Sequence, residues 1–345
     1  MKYTTLPNTD IKISKICLGT MTFGEQNSEA EGHAQMDYAI EKGVNFFDTA
    51  EMYSVPARQE TYGSTEKIIG TWFQKTGKRE EVILTSKIAG PNRSFGYMRE
   101  KLDFSPKSIQ VALDQSLQRL QTDYIDVYQL HWPERKTNFF GQRGFKPQHD
   151  AWEDNIQSVL ETLEDLIKQG KINHIGLSNE TPWGVMRFLE ESKHQNLPQI
   201  KTIQNPYSLL NRTFESGLAE ICIRENVGLL AYSPLAFGVL SGKYLSGETL
   251  PNARINKFPQ YNRYNSLQCT KATRLYQEIA HKYGLTLTEL SLAFVNQQAF
   301  MTSSIIGATS MEQLKENIAT IDVLLSDDIL KEIEGVQAVI PDPAP

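Results

Sequence analysis

The sequence predicts an α/β protein built as a single (β/α)8 barrel that spans residues 1–345. Eight short apolar runs rich in Val, Ile and Phe have the length of buried parallel strands, and each is followed by a segment of helical length. Strict alternation of eight strand and helix units favours a closed barrel. A doubly wound open sheet is the competing layout, although no G-x-G-x-x-G follows the first strand.

The eight strands are expected where apolar runs end at polar or small residues. In chain order they are ISKICLGT (13–20), VNFFDTA (44–50), VILTSKI (82–88), IDVYQLH (125–131), INHIGLSN (172–179), IKTIQNPY (200–207), VGLLAYSP (227–234) and SSIIGAT (303–309).

The segments between these runs carry helix signals. The first, 28–43, ends at Gly43, which is typical of a helix C-terminus. Another begins at Ser64 and places Ile68, Ile69 and Trp72 on one side. A third opens with Pro106 and continues with apolar residues at helical spacing. Similar patterns occupy 155–169, 181–193, 213–226, 268–283 and 310–320, and an extra C-terminal helix is expected over 326–339.

Two segments are too long to be simple connections. Residues 133–152 follow the fourth strand and residues 237–264 follow the seventh, and a proline-rich tail ends the chain at 341–345. Long loops in a compact domain are often functional, and in barrels the loops after the strands surround the active site.

Composition narrows the class of protein. The net charge is -6 and the basic residues are not clustered, so we expect no nucleic-acid partner. The cysteines are three, far apart, which predicts free thiols in a cytoplasmic protein, and the six histidines show no metal-ligand spacing. No apolar run approaches the roughly 20 residues of a membrane helix, and no secretory signal follows Met1.

Polar residues stand at the ends of successive predicted strands. Asp48 ends the second strand with Tyr53 five residues later, Lys87 closes the third strand, and His131 closes the fourth. Each has an ordinary explanation by itself: a turn cap, a rim aromatic, a solvated charge or a histidine at a loop start. Because the carboxyl ends of barrel strands converge, the four together predict one catalytic cavity.

These four side chains suit the reduction of a carbonyl group, which needs a hydride on carbon and a proton on oxygen. An ammonium about 4 Å from a phenolate stabilises it by about 4 kcal/mol at an effective dielectric of about 20, or about three pKa units. Lys87 is therefore expected to lower the pKa of Tyr53, the acid, while Asp48 moderates this effect. His131 is expected to orient the carbonyl.

The motifs around these residues resemble those of a known family. VNFFDTAEMY, TSK and QLHWP are similar to the aldo-keto reductase segments that carry a catalytic Asp, Tyr, Lys and His. The likeness extends along the chain through GTMTFG, GLSN, IQNPYSLLNR, AYSPLAFGVLSGKY and IIGATSMEQLKEN. It is closest to the Tas-like branch of that superfamily, which is related to the potassium-channel β subunits.

The resemblance implies NADPH as cofactor and a small carbonyl compound as substrate. It identifies Tyr53 as the proton donor, Ser178, Asn179 and Gln204 as carboxamide contacts, and Tyr232 as the ring that stacks on the nicotinamide. It implies a pyrophosphate loop and a basic residue that closes over the cofactor: Ser233, Pro234, Leu235, Gly238, Lys243 and Arg254. The remaining implied cofactor contacts are Gly19, Thr20, Met21, Asp48, Gly307, Thr309, Gln313, Glu316 and Asn317, of which the last four belong to the adenosine end.

Two departures from the family pattern affect details. Gly307 and Gln313 stand where better-known members carry basic residues that bind the 2′-phosphate, so Lys243 and Arg254 are left to supply that charge and NADH stays open as cofactor. Met21 replaces a pocket Trp of some members. The substrate pocket is then expected to draw on loop aromatics, which favour an apolar or aromatic carbonyl compound: Trp132, Phe139, Phe140 and Phe237.

Two other functions remain as alternatives. A barrel with little turnover could bind NADPH and report its redox state to a partner. An aldolase could use Lys87 to form a Schiff base, with no nicotinamide. The sequence leaves the oligomeric state and the physiological substrate open.

Overall fold

The computed structural model of the chain describes residues 1–147, 151–247 and 250–344. An antiparallel hairpin, β1 (Tyr3–Thr5) and β2 (Lys12–Ser14), precedes eight parallel strands that close into a barrel in the order β10-β3-β4-β5-β6-β7-β8-β9. The predicted (β/α)8 barrel is confirmed, and the open sheet is excluded because β10 pairs with β3, Ser304 lying opposite Ile16. The barrel strands are β3 (Ile16–Gly19), β4 (Phe46–Asp48), β5 (Ile83–Ile88), β6 (Ile125–Leu130), β7 (Ile172–Ser178), β8 (Thr202–Pro206), β9 (Gly228–Tyr232) and β10 (Met301–Ile306).

The first predicted strand, 13–20, is wrong in one respect, because it spans two elements. Residues up to Ser14 belong to the hairpin, and the chain enters the barrel at Ile16. The hairpin side chains Leu6 and Ile13 are fully buried and pack against the barrel interior at Cys17 and Phe46. The hairpin therefore closes the end of the barrel at which the strands begin.

The helices surround the barrel, and their ends follow the expected signals. Ser28 caps α1 in a reciprocal pair with Glu31, and Pro106 occupies the first turn of α3. The helices are α1 (Glu29–Glu41), α2 (Ser64–Thr76), α3 (Pro106–Leu120), α4 (Ile156–Lys168), α5 (Pro182–Gln195), α6 (Leu218–Glu225), α7 (Arg254–Lys257), α8 (Leu267–Lys282), α9 (Leu287–Asn296), α10 (Met311–Ala319) and α11 (Asp327–Val339).

Two helical regions differ from the sequence prediction. The segment 213–226 is a short 3-10 turn followed by α6, since the chain breaks at Gly217. Helix α9 was not predicted. All of its residues except Glu289 are buried, so it has no polar face to create a helical period. Its capping box, Thr286 with Glu289, was the available signal.

The two long loops lie at the carboxyl ends of β6 and β9, as predicted. The second contains α7 and two 3-10 turns. Parts of both loops (148–150 and 248–249), and Pro345 of the tail, lie outside the described residues. The tail packs across this end of the barrel, where the Ala344 amide donates to the Leu210 carbonyl at 3.0 Å. Among the described residues, no helix is long and apolar enough to cross a membrane.

Close packing of α2 against α3 depends on Gly70. A Cβ at this position would lie 2.3 Å from the carbonyl oxygen of Arg119 and 2.8 Å from the carbonyl carbon of Leu120. Both are backbone atoms, so only a shift of the helices can relieve the contact.

We expect Gly70→Ala to lower the free energy of unfolding by about 1–3 kcal/mol, because it overpacks this crossing. The matched control is Gly335→Ala in α11, where a Cβ would meet nothing within 4 Å. This control should raise the free energy of unfolding by about 0.5–1 kcal/mol through helix propensity. Urea titration measures both, and equal effects of the two changes would contradict a close crossing at Gly70.

Candidate active site

A cavity of about 960 Å³ opens at the carboxyl ends of the barrel strands. Its wall includes the ends of β3, β4, β8 and β9 and both long loops. Of the residues expected at the site, all line this cavity except Lys87 and Ser178. The closed barrel thus brings together residues that are spread from Gly19 to Asn317 in the sequence.

Lys87 lies beneath the cavity floor as a fully buried ammonium. Its Nζ donates to Oδ2 of Asp48 and to the carbonyl oxygen of Thr49, each at 2.8 Å. Burial by itself lowers the pKa of Lys87, but Asp48 and Tyr53 oppose this effect and the pKa is raised. Lys87 therefore keeps its positive charge.

Both carboxylate oxygens of Asp48 are occupied. Oδ2 accepts from Lys87, while Oδ1 accepts from the Thr85 hydroxyl at 2.6 Å and from Nε2 of Gln204 at 2.8 Å. Asp48 thus connects β4 to its neighbour β5 and to β8 across the barrel.

Tyr53 stands between Lys87 and His131. The Lys87 Nζ lies 5.0 Å from the centre of the Tyr53 ring, and the His131 ring meets it edge-on at 5.8 Å. Burial raises the pKa of Tyr53, and Lys87 only partly offsets this. The expectation that Lys87 brings the pKa below its usual value is wrong in this structure, because removing the phenolate from water outweighs the attraction of the ammonium. The phenol is therefore protonated at neutral pH.

His131 is held in its neutral form. Burial, with a smaller effect of Lys87, places the pKa of His131 well below its usual value. Its backbone carbonyl accepts a hydrogen bond from Nδ2 of Asn179 at 2.9 Å, and its Nδ1 has no hydrogen-bond partner in the described part of the chain.

Asn179 links His131 to Tyr232. The Tyr232 hydroxyl donates to Oδ1 of Asn179 at 2.7 Å. Ser178, expected to contact a cofactor, is not among the residues that line the cavity. Its hydroxyl donates to the Gln204 carbonyl and accepts from Asn179, which connects β7 to β8 next to the cavity wall.

The segment after β9 forms a tight loop at the cavity wall. Ser233, Phe237 and Gly238 all have positive φ angles, of 54°, 57° and 86°. A Cβ at Gly238 would lie 2.7 Å from Nζ of Lys243, so glycine lets this ammonium approach the loop closely. Irregular backbone next to a cation is suited to binding the oxygens of a phosphate.

Arg254 reaches across the cavity from α7. One guanidinium nitrogen lies 3.9 Å from the Met21 sulfur, and the group stacks 5.3 Å from the centre of the Phe237 ring. Its charge partly opposes the rise in the pKa of Tyr53 that burial causes. Arg254 therefore lies close to Tyr53 as well as to the loop after β9.

The wall formed by 307–317 is polar but carries little positive charge. Gln313 accepts from the backbone and hydroxyl of Thr309, Asn317 is buried, and Glu316 is exposed at the cavity rim. The ammonium of Lys315 lies over the Tyr38 ring at 5.7 Å, not in the cavity wall.

Aromatic side chains cover the outer part of the cavity. Trp132 meets Phe140 edge-on at 5.9 Å, and Phe139 meets Phe140 at 5.0 Å. Phe237 lies apart from these three, against Tyr261. Sequence reasoning missed Phe95, which contacts Trp132 at 6.2 Å, and also Met52, Tyr261 and Arg263, all of which line the cavity. The length of the segment after β5 was the available signal for Phe95.

A buried ion pair joins the segment carrying Tyr53 to the loop that follows β5. Glu51 is fully buried, and its carboxylate accepts from Arg99 at 2.7 and 2.8 Å and from the Ala89 amide at 2.6 Å. The Glu51 amide in turn donates to the Lys87 carbonyl at 3.2 Å. The pair and these backbone bonds hold the segment of Tyr53 against the end of β5.

Comparison with known proteins supplies the family. The sequence profile described as the Aldo/keto reductase family matches residues 15–338. The chain is 49% identical over 346 residues to "Protein tas" of Escherichia coli strain K12, covering 100% of both chains. This finding confirms the predicted Tas-like branch.

More distant relatives differ in the cofactor that their names state. One is the "NADH-specific methylglyoxal reductase" of Escherichia coli, 30% identical over 340 residues and 95% of each chain. Another is "Aldo-keto reductase yakc [NADP(+)]" of Schizosaccharomyces pombe, 29% identical over 324 residues, 92% of this chain and 85% of the relative. Both names state a nicotinamide cofactor, but one states NADH and the other NADP(+).

We expect Glu51→Gln to lower the free energy of unfolding by about 3–5 kcal/mol, because it leaves the buried guanidinium of Arg99 without its counter-charge. Thermal or urea unfolding measures this loss. The control is Glu164→Gln, which removes a solvent-exposed pair with Lys168 and should change stability far less. Equal losses for the two variants would show that burial of the Glu51 pair is unimportant.

The lowered pKa of His131 predicts a pH dependence of stability. The unfolded chain binds a proton at this residue below a pH of about 6.5 and the folded protein does not, so stability falls as the pH drops from that value towards the folded pKa. The contribution is at most about 1.4 kcal/mol per pH unit. His131→Asn should make the fall shallower in urea titrations at successive pH values. Parallel curves for variant and wild type would contradict a neutral, buried His131.

Proposed function

Because the chain belongs to the aldo/keto reductase family, we propose that it reduces an aldehyde or ketone to an alcohol with NADPH, using Tyr53 as the proton donor. The observation that carries this proposal is the cluster of Asp48, Tyr53, Lys87 and His131 at the carboxyl end of the barrel. The family membership makes it an oxidoreductase, and the cluster supplies the acid that carbonyl reduction needs.

The cavity offers groups that fit a nicotinamide dinucleotide. Asn179 and Gln204 present amide groups, and we propose that they hold the carboxamide beside the ring of Tyr232. The loop from Ser233 to Gly238, with Lys243 against it, suits the pyrophosphate. The wall at 307–317 with Gly19, Thr20 and Met21 completes the binding surface. When bound, the reduced nicotinamide supplies the hydride.

The protein's own residues deliver the proton. Burial raises the pKa of Tyr53, so the phenol carries its proton at neutral pH and can give it to the carbonyl oxygen as the carbon is reduced. Lys87 stabilises the phenolate that remains, at a site where the low dielectric strengthens the attraction. Neutral His131 is proposed to hydrogen-bond the substrate oxygen and orient it.

NADPH is the proposed cofactor because its 2′-phosphate adds negative charge that cations can bind in the wall of the cavity. Lys243 and Arg254 both line it, and each is close enough to affect the other, since Arg254 contributes to lowering the pKa of Lys243. Two adjacent cations favour a ligand of high negative charge. We propose that Arg254 turns towards the 2′-phosphate when the cofactor binds.

Further aspects of the proposal concern the substrate and the setting. The aromatic wall of Trp132, Phe139, Phe140 and Phe237 favours an apolar or aromatic carbonyl compound. We propose that residues 1–345 act as one domain. A cytoplasmic location is supported by the state of Cys17, Cys222 and Cys269, which are buried free thiols.

We expect Tyr53→Phe to abolish reduction while the dissociation constant for NADPH stays within about threefold of wild type, because the ring is kept and only the proton donor is lost. Stopped-flow absorbance at the NADPH band measures turnover with an aromatic aldehyde, and fluorescence titration measures binding. Tyr38→Phe, a change on α1, is the control and should be fully active. Turnover by Tyr53→Phe above about a tenth of wild type would contradict the role of Tyr53.

We expect Arg254→Ala to weaken NADPH by about tenfold or more and NADH by much less, because only NADPH carries the additional phosphate. Fluorescence titration with both dinucleotides measures the difference. Lys257→Ala, an exposed change on the same short helix, is the control. Equal weakening of the two dinucleotides would show that Arg254 does not recognise the 2′-phosphate.

A further inference from the structure

Arg263 is a third cation in the cavity wall, besides Lys243 and Arg254. It follows α7 in the loop after β9. The central carbon of its guanidinium lies 5.8 Å from the centre of the Tyr264 ring. Burial by itself lowers the pKa of Arg263, but the nearby phenols of Tyr232 and Tyr264 raise it, and the Tyr264 hydroxyl has no hydrogen-bond partner in the described part of the chain. Arg263 therefore stands where the ring of Tyr232 meets the start of the proposed phosphate loop.

The guanidinium of Arg263 has no anionic partner within the described ranges. Its Nη1 is shielded from solvent and makes no hydrogen bond to the protein there, and its neighbours are phenols, not carboxylates. Of the two carboxylates in the cavity wall, Asp48 binds Lys87, and Glu316 on α10 forms no ion pair with Arg263. Arg263 is half-buried, and a cation that is partly withdrawn from water without a counter-charge is stabilised by a ligand that supplies one.

Three guanidinium groups with little exposure have carboxylate partners. Arg99 binds Glu51, Arg119 binds Glu66, and Arg135 binds both oxygens of Glu180. These three lie between structural elements, where a permanent partner stabilises the fold. Arg263 differs from them in lining the cavity and in keeping a donor free.

We propose that Arg263 binds an anionic oxygen at the nicotinamide end of the cavity. The inference rests on the proposed function for the identity of the ligand, which has two sources of the same chemistry. One is a phosphate oxygen of the dinucleotide, since Tyr232 and Ser233 are adjacent. The other is a carboxylate carried by the carbonyl substrate. This source fits because Tyr232 lies close to Tyr53, the proposed proton donor, whose phenol affects the pKa of Tyr232.

With either source, Arg263 contributes more than the positive charge that Lys243 and Arg254 also supply. A guanidinium presents several donors in one plane and binds two oxygens of one anion at fixed geometry. The interaction of Arg263 with Tyr232 connects this anion to the ring, and the Tyr232 hydroxyl is bonded to Asn179. An anion on Arg263 would therefore fix the ligand next to the groups proposed to hold the nicotinamide.

The test uses Arg263→Met, which keeps the length of the side chain without its charge, and Arg263→Lys, which keeps the charge without the planar donors. Arg274→Met, an exposed change on α8, is the matched control. Thermal unfolding establishes that each variant is folded. Three kinds of measurement are then compared with wild type. They are the dissociation constants of NADPH and NADH, the KM values for benzaldehyde and para-carboxybenzaldehyde, and calorimetric binding of inorganic pyrophosphate at constant ionic strength.

If Arg263 binds a phosphate oxygen of the dinucleotide, Arg263→Met weakens NADPH and NADH alike, by about tenfold to a hundredfold, and weakens pyrophosphate as well. If it binds a substrate carboxylate, the KM for para-carboxybenzaldehyde rises by this factor and the other quantities do not change. In both cases Arg263→Lys lies between Arg263→Met and wild type, and Arg274→Met is unchanged.

The inference is wrong if Arg263→Met lies within about twofold of wild type in every measurement, or if Arg263→Lys is no better than Arg263→Met in the measurement that changes. Failure of the proposed function has a different signature. A wild-type protein that reduces no aldehyde would contradict the proposed reaction, while binding of the dinucleotides and of pyrophosphate would still decide whether Arg263 binds a phosphate oxygen.

Discussion

The ammonium of Lys87, buried inside the barrel, is the feature on which the site depends. A charge in this position is tolerated only because Asp48 and the Thr49 carbonyl both bind it at 2.8 Å. The barrel supplies these partners directly, since β4 and β5 are neighbours and Asp48 lies opposite Thr85, two residues before Lys87. The pairing of β4 with β5 therefore also brings Asp48 and Lys87 together, and Tyr53 packs against this charged pair.

The bonds around this pair extend to the rest of the site. Asp48 also accepts from Gln204 on β8, whose backbone carbonyl accepts from Ser178, and Asn179 joins Tyr232 to the segment of His131. These bonds join β4, β5, β7, β8 and β9 and restrict the movement of the side chains that take part in them. A site fixed in this way suits a reaction in which donor and acceptor must meet at defined positions. The free donor of Arg263, by contrast, is available to a ligand.

The sequence predicted the barrel and the meeting of Asp48, Tyr53, Lys87 and His131. The hydrophobic period and the length of each segment are local signals that the fold repeats eight times, and so is the position of polar residues at the strand ends. It did not separate the hairpin from β3, since three-residue strands are too short to show a period. Helix α9 was missed because burial on every side removes the amphipathic pattern. The raised pKa of Tyr53 and the hydrogen bonds of the Ser178 hydroxyl depend on the depth of burial and on long-range partners, and no local pattern in the sequence encodes either of them.

In the proposed reaction Lys87 acts through Tyr53, so the two side chains should behave as one unit. The decisive measurement is a double-mutant cycle on the single-turnover rate of aldehyde reduction, using wild type, Tyr53→Phe, Lys87→Met and the double variant. If the two side chains form one unit, the double variant reacts no more slowly than the slower single variant. If the two losses multiply, each side chain contributes independently, and the ammonium does not work by supporting the phenol.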